Sequence, residues 1–195
     1  MSDATQIKWD THYAKVGDSS AMRAVADNLH LLPQQGLGLE IACGLAANSF
    51  AIAQQGIHME AQDISPVAVE RVNQQAKALN LPVTANASDV VSNPPAPAHY
   101  DVVVVGRFLD RSLIPALVDA LKPGGLMFYQ TFTQTRVNEG GPKKDEWRLA
   151  DNELLRLFAE LQVLVYREEA CVGDTQRGFR NEALFVGRKR LEVNN

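Results

Sequence analysis

The 195-residue chain has 46% hydrophobic and 22% charged residues and a net charge of −4, a balance that fits one globular domain needing no disulfide or metal staple. It offers no overall field for a phosphate backbone, so nucleic acid is not an expected partner. Cys43 and Cys171 form neither a disulfide framework nor a metal spacing, Met1 to Asp10 lack the apolar core of a secretory signal, and no apolar run approaches the ~20 residues that a bilayer requires. A cytoplasmic protein without membrane association is expected, as a monomer or weak homodimer.

Short apolar runs alternate with amphipathic segments along the chain. Residues 37–42 read as a buried strand, and Leu45 to Gln55 as a helix ended by Gly56. Ile57 to Asp63 is a second strand. Ser65 and Pro66 then cap and open a helix whose Val69, Val72, Ala76 and Leu79 share one face. Val83 to Ala87 is a third strand, followed by a proline-rich loop over Ser92–Ala98. The β-branched run of Tyr100 to Val105 suits a central parallel strand covered on both faces. Leu113, Leu117, Val118 and Leu121 form a helix face, closed by Lys122-Pro123-Gly124-Gly125, and Leu126 to Thr131 is the fifth strand. Thr133 to Arg148 is a long polar loop, a type usually functional or disordered. Asp151 is expected to cap a helix reaching about Glu160. Leu161 to Ala170 and Glu182 to Gly187 are two further strands, the first leading to a buried Cys171. The alternation predicts a doubly wound α/β domain with an antiparallel C-terminal strand pair, whose ligands bind at the strand ends near Ala42–Gly44, Asp63, Asp89 and Gly106.

Small residues in the turn Glu40 to Ser49 allow a ligand to approach the backbone, with the N–H groups of the next helix facing it. A dinucleotide would call for G-x-G-x-x-G; the aligned positions hold Ala42, Gly44 and Ala47. Asp63 lies at about the ~20-residue offset of an acid that grips ribose hydroxyls, and carboxylates are acceptor-only groups suited to that task. Asp89 is placed to accept from an adenine amino group. Glu40 either supports the turn's backbone or accepts from a ligand ammonium. Taken singly, Asp63 and Asp89 also read as turn caps.

The stretches Glu40-x-Ala42-Cys43-Gly44-x-Ala46, Asp63-Ile64-Ser65-Pro66 and Leu121-Lys122-Pro123-Gly124-Gly125 resemble the signatures of class I S-adenosylmethionine-dependent methyltransferases over residues 37–131. Ala42 and Ala46 stand where that family has glycines. The resemblance implies a Rossmann-like seven-stranded fold, with Glu40, Ala42, Cys43 and Gly44 around the methionine moiety of S-adenosyl-L-methionine, later S-adenosyl-L-homocysteine. Asp63 and Ile64 would hold the ribose, Asp89 and Val90 would flank the adenine, and Gly106, Arg107 and Phe108 would pass under the sulfonium. Residues 1–36 are expected to form an N-terminal helical lid, with Trp9 and Tyr13 toward the cofactor, and residues 37–195 the methyltransferase domain. The ends resemble the tellurite-resistance TehB-type subgroup of small-molecule methyltransferases, through Trp9-Asp10-x-x-Tyr13, Gly141-Pro142 and Arg180-Asn181-Glu182-Ala183.

Methyl transfer depends mainly on alignment, and positioning can lower a barrier by roughly 7–11 kcal/mol. The expected partner is a small methyl acceptor, anionic or of thiol or chalcogen type. His12 is the candidate base, and Arg177 and Arg180, with Arg136, are candidates to hold an anion. Their bland readings are solvated surface residues, and Trp9 and Tyr13 equally suit packing of the lid. Two other functions fit the same fold: a non-enzymatic S-adenosylmethionine-binding module, and an NAD-dependent reductase, which lacks here both its glycines and a Tyr-x-x-x-Lys pair.

Overall fold

The computed structural model describes residues 3–17 and 20–191. The outermost residues of both expected segments, 1–2 and 192–195, therefore lie outside the described residues. Seven strands, β1 (Leu37–Ile41), β2 (His58–Asp63), β3 (Val83–Ala87), β4 (Tyr100–Gly106), β5 (Leu121–Phe132), β6 (Gln162–Arg167) and β7 (Glu182–Arg188), form one sheet. Their order is β3-β2-β1-β4-β5-β7-β6. The first five run parallel, while β7 is antiparallel to both β5 and β6. The fold is thus the doubly wound α/β sheet expected, with its antiparallel C-terminal strand.

The reason lies in the strand chemistry. Val102 to Val105 are wholly buried, because consecutive side chains point to opposite faces and helices cover both. Val102 and Val104 join a core with Phe50, Ile52, Val72 and Phe128. That core lies under α2 (Arg23–Ala26), α3 (Ala47–Ala53) and α4 (Pro66–Leu79). Val103 and Val105 join Ile41, Leu117, Tyr129 and Phe158 on the other face, under α5 (Ile114–Ala120) and α6 (Glu153–Leu157). Strand β1 lies between β2 and β4, so the connections on its two sides leave toward opposite faces. The crevice at the carboxyl ends of β1 and β4 is where such a sheet receives ligands.

Several local expectations are corrected. Helix α3 starts at Ala47 instead of Leu45, because Gly44 and Ala46 have left-handed φ of 54° and 53°, which no right-handed helix accommodates. Ser65 caps α4 as expected, accepting from Ala68 N at 3.2 Å, yet Leu79 is 50% exposed at that helix's last residue. Leu121 opens β5 instead of closing a helix: it pairs with Tyr100, while Val102 pairs with Leu126, so the intervening Lys122–Gly125 bulges out of register. Asp151 accepts from Thr135 Oγ1 at 2.9 Å. The cap position of α6 is Asn152, at φ 57°. That helix ends at Leu157, and the strand before Cys171 ends at Arg167, which leaves Cys171 exposed in the following turn.

Candidate active site

The turn after β1 carries three left-handed residues, Ala42 (φ 48°), Gly44 (54°) and Ala46 (53°). Only glycine adopts that region without a steric penalty. Glu40, buried at the end of β1, holds the far side of the turn. Its Oε1 accepts from Asn48 Nδ2 at 2.7 Å, and its Oε2 from Ser49 N and Oγ at 2.9 and 2.6 Å. Glu40 therefore braces α3, whose Ser49 N–H is consumed internally. Burial pushes its carboxyl up to about 7 although these donors favour the charged form. Asn48 Oδ1 in turn accepts from Met22 N at 2.8 Å, tying the segment before α2 to the same turn.

Asp63 ends β2 and is buried. Its Oδ2 accepts from Gly44 N at 2.8 Å and its Oδ1 from Ser65 N at 2.9 Å. Burial raises its carboxyl above the ordinary range, and these backbone donors pull the other way. A carboxylate has about four acceptor sites, so hydroxyl ligands have lone pairs left to use. Ser88 N donates to Asp63 O at 2.8 Å, which draws the end of β3 beside that of β2. Beyond it Asp89 accepts from Val91 N at 3.1 Å and Ser92 Oγ at 2.9 Å, and Val90 is buried in the core. Ile64 is half-buried between Asp63 and the cap of α4.

Over this turn lies α1 (Asp3–Tyr13). A Cβ at Gly44 would sit 2.7 Å from Tyr13 Oη, so the phenol occupies the space that the missing side chain vacates. Burial, followed by the nearby Asp63, Cys43 and Glu40, pushes the Tyr13 hydroxyl far above its usual range. It stays a neutral hydrogen-bond donor. Trp9 stacks on Tyr13 with ring centroids 5.6 Å apart, and exposed His12 meets both rings edge-on. The helix is fastened by Ser65 Oγ donating to Asp10, and by Arg71 Nη1 donating to Tyr13 O and, at 2.8 Å, to Val16 O.

The end of β4 completes the crevice. A Cβ on Gly106 would lie 3.2 Å from Met22 Sδ and 3.3 Å from Asn48 Nδ2, so this glycine rests directly against the brace of the first turn. Arg107 follows with φ 54°. Its N–H donates to Gln130 O at 2.8 Å and its Nε to Glu182 Oε1 at 3.0 Å. Phe108 O accepts from Tyr129 Oη at 2.8 Å. Gln130 and Glu182 are buried and bonded to each other, and Gln130 Oε1 accepts from Ala24 N at 2.8 Å. Asn48, Ser49 and Gln130 are contributors that sequence reasoning passed over. The available signal for Gln130 was an amide inside the otherwise apolar run of β5.

The family model described as a methyltransferase domain matches residues 39–125. That span covers the β1 turn, Asp63, Asp89 and the end of β4. Residues 39–125 are thus similar to a methyltransferase domain, over somewhat less than half of the chain.

The chain is 32% identical over 105 residues to the ubiquinone biosynthesis O-methyltransferase of Xylella fastidiosa (strain 9a5c), covering 50% of the chain and 42% of the relative. The match thus spans less than half the length of that relative. Among solved structures, TehB from Haemophilus influenzae aligns with a TM-score of 0.73 at 19% identity, over 94% of this chain and 67% of TehB. Geranyl diphosphate C-methyltransferase from Streptomyces coelicolor A3(2), solved with S-adenosyl-L-homocysteine, aligns at 0.66 and 14% identity over 85% and 78% of the two chains. At these identities the structural likeness carries the fold, and function has to be argued from the site.

The arginines expected to hold an anion lie beyond the matched span, and Arg180 and Arg136 have other work. Arg180 directs its donors to the carbonyls of Arg177, Glu169, Ala170, Val172 and Asp174 at 2.7–3.0 Å. All five N–H groups of its guanidinium are so used, and the residue staples the connection between β6 and β7. Arg177 is exposed in that connection. Arg136 pairs with Asp145 at 3.0 Å and Glu139 at 3.6 Å. Among the described residues, no hydrogen bond or ion pair joins Arg177 or Arg180 to the groups at the ends of β1, β2 and β4.

Proposed function

We propose that this chain is an S-adenosylmethionine-dependent methyltransferase acting on a small acceptor of anionic or thiol type. The observation that carries the proposal is the joining of the β1 turn to the end of β2. There Gly44, bare of side chain, donates its N–H to buried Asp63, at the switch point of the sheet and within the span similar to a methyltransferase domain. The donor set fits a ligand that is part nucleoside and part amino acid. Asp63, with Ile64 beside it, offers acceptors for ribose hydroxyls, while Asp89 and Val90 border the place of the base. Ala42, Cys43, Gly44 and the Glu40 brace shape the turn for the amino-acid end. The Cβ atoms of Ala42 and Ala47 narrow the approach that a diphosphate requires, which disfavours a dinucleotide.

When bound, S-adenosylmethionine supplies a methyl group already activated on a sulfonium. The protein's own task is therefore to align partners and exclude water. Within residues 1–36, α1 serves as the lid while α2 joins the core of the sheet, and Tyr13 and Trp9 face the cleft, Tyr13 offering a neutral hydroxyl toward it. Gly106 and Phe108 form the floor at the end of β4. His12, exposed beside the two aromatic rings, is placed to take a proton from an acceptor that arrives protonated.

The test is turnover. Purified protein with labelled S-adenosylmethionine and a panel of thiols and oxyanions should release S-adenosylhomocysteine with at least one acceptor. Tight S-adenosylhomocysteine binding without turnover across the panel would favour a binding module instead.

A further inference from the structure

We infer that Arg107 holds the anionic group of the methyl acceptor, its two terminal nitrogens gripping a carboxylate or a similar planar oxyanion. The inference rests on the methyltransferase reading above and adds the residue that would select the substrate class.

Position is the first argument. Arg107 follows Gly106 at the end of β4, and Gly106 rests against Asn48, which holds Glu40 under the first turn. The residue therefore stands at the rim of the proposed cofactor crevice. Strain is the second. A long side chain at φ 54° is uncommon, and such backbone persists where its surroundings over-determine it, often at functional sites. The surroundings do so here, because the Arg107 N–H is fixed on Gln130 O at 2.8 Å.

Bracing is the third argument. The Nε of Arg107 is held by Glu182 at 3.0 Å, Glu182 by Gln130, and Gln130 by the backbone N–H of Ala24 at 2.8 Å. The chain of contacts runs from an exposed guanidinium into buried backbone. One edge of the fork is thereby locked, while the side chain stays 59% exposed. Among the described residues, Nη1 and Nη2 of Arg107 have no hydrogen-bond partner. A planar fork held by one edge and open on the other suits bidentate recognition of a carboxylate. The carboxylate of Glu182 keeps the site close to neutral until the acceptor arrives. Arg180 and Arg136 cannot do the same work, because backbone carbonyls and acidic partners already occupy them.

The experiment compares acceptor pairs that differ in a carboxylate: mercaptoacetate against 2-mercaptoethanol, and 3,4-dihydroxybenzoate against catechol. Wild type, R107A and R107K are each assayed for kcat/KM. Each is also titrated calorimetrically with S-adenosylhomocysteine, then, when loaded, with 3,4-dihydroxybenzoate. Wild type should favour the carboxylated member of at least one pair by tenfold or more. R107A should lower that ratio at least tenfold and weaken 3,4-dihydroxybenzoate binding to match, with R107K between them. The affinity for S-adenosylhomocysteine should change by less than about threefold. A loss of S-adenosylhomocysteine affinity in R107A as large as the loss of 3,4-dihydroxybenzoate binding would overturn the inference and leave Arg107 under the cofactor. A wild type that binds S-adenosylhomocysteine yet shows no carboxylate preference overturns the inference, as does a preference that survives in R107A. A wild type that binds no S-adenosylhomocysteine defeats the methyltransferase reading itself, a result distinct from either.

Discussion

Ala42 and Ala46 hold left-handed backbone at φ 48° and 53°, where an L-residue loses roughly 1–2 kcal/mol against the right-handed alternative. Glycine relieves that strain but adds about 0.5–1 kcal/mol of chain entropy cost. The double variant A42G/A46G should therefore gain on the order of 1 kcal/mol, seen as a rise of about 2–4 °C in Tm for a domain of this size. An unchanged or lower Tm would mean that the two methyl groups contribute packing worth more than the strain. Asp63→Ala tests the ribose acid. Each charge-assisted bond lost is worth about 1.5–3 kcal/mol, so S-adenosylhomocysteine affinity should fall tenfold or more. Equal affinity would reduce Asp63 to a brace for Gly44 N and Ser65 N.

Glu40 gives a pH prediction at the same scale. Burial raises its carboxyl from 4.5 to about 7 in the folded chain. Between those values the native state holds a proton that the unfolded chain has released. The resulting stabilisation is full below about pH 4.5 and is lost as pH rises through about 7, on the order of 2–3 kcal/mol. In denaturant titrations at pH 5 and pH 8, E40Q should lack this part of the decline. Parallel pH dependence in the two proteins would contradict it.

At the scale of elements, α1 shows how a polar helix can be held in place without a buried apolar face. It relies on Asp10 meeting the cap of α4, on Arg71 reaching the carbonyls of Tyr13 and Val16, and on the Tyr13 ring filling the gap above Gly44. R71A should loosen that attachment. Limited proteolysis within residues 3–17 and the dissociation of S-adenosylhomocysteine should both accelerate several-fold, because local opening sets each rate. Unchanged rates would show that Asp10 and Tyr13 hold the helix without Arg71. Helix α4 was legible because Ser65 and Pro66 carry its start in their own chemistry. Helix α3 was expected too long because left-handed Ala46 sets its first turn, which a lone Ala does not advertise, and α6 because Phe158 leaves the helical region at φ −110° and ψ 32°. Leu121 was misplaced because a bulge at Lys122–Gly125 is decided by pairing with β4, a contact distant in sequence.

For the whole molecule, the sheet was legible because a β-branched run such as Val102–Val105 can be buried only between two helical layers. The ligand edge followed from it, since the strand ends in a doubly wound sheet share one rim. The acceptor side was less legible. Arg177 and Arg180 look like anion ligands in one dimension, but the folded connection between β6 and β7 turns the guanidinium of Arg180 onto its own carbonyls. The resemblance set Arg107 under the sulfonium, and nothing marked it as an anion ligand until Gln130 and Glu182, from two other strands, came beside it.

The most direct measurement is a calorimetric titration of the purified protein with S-adenosylhomocysteine and, separately, with NAD. A rim shaped for a nucleoside joined to an amino acid predicts saturable one-site binding of the first and none of the second at the same concentrations. Binding of NAD, with no heat from S-adenosylhomocysteine, would contradict it.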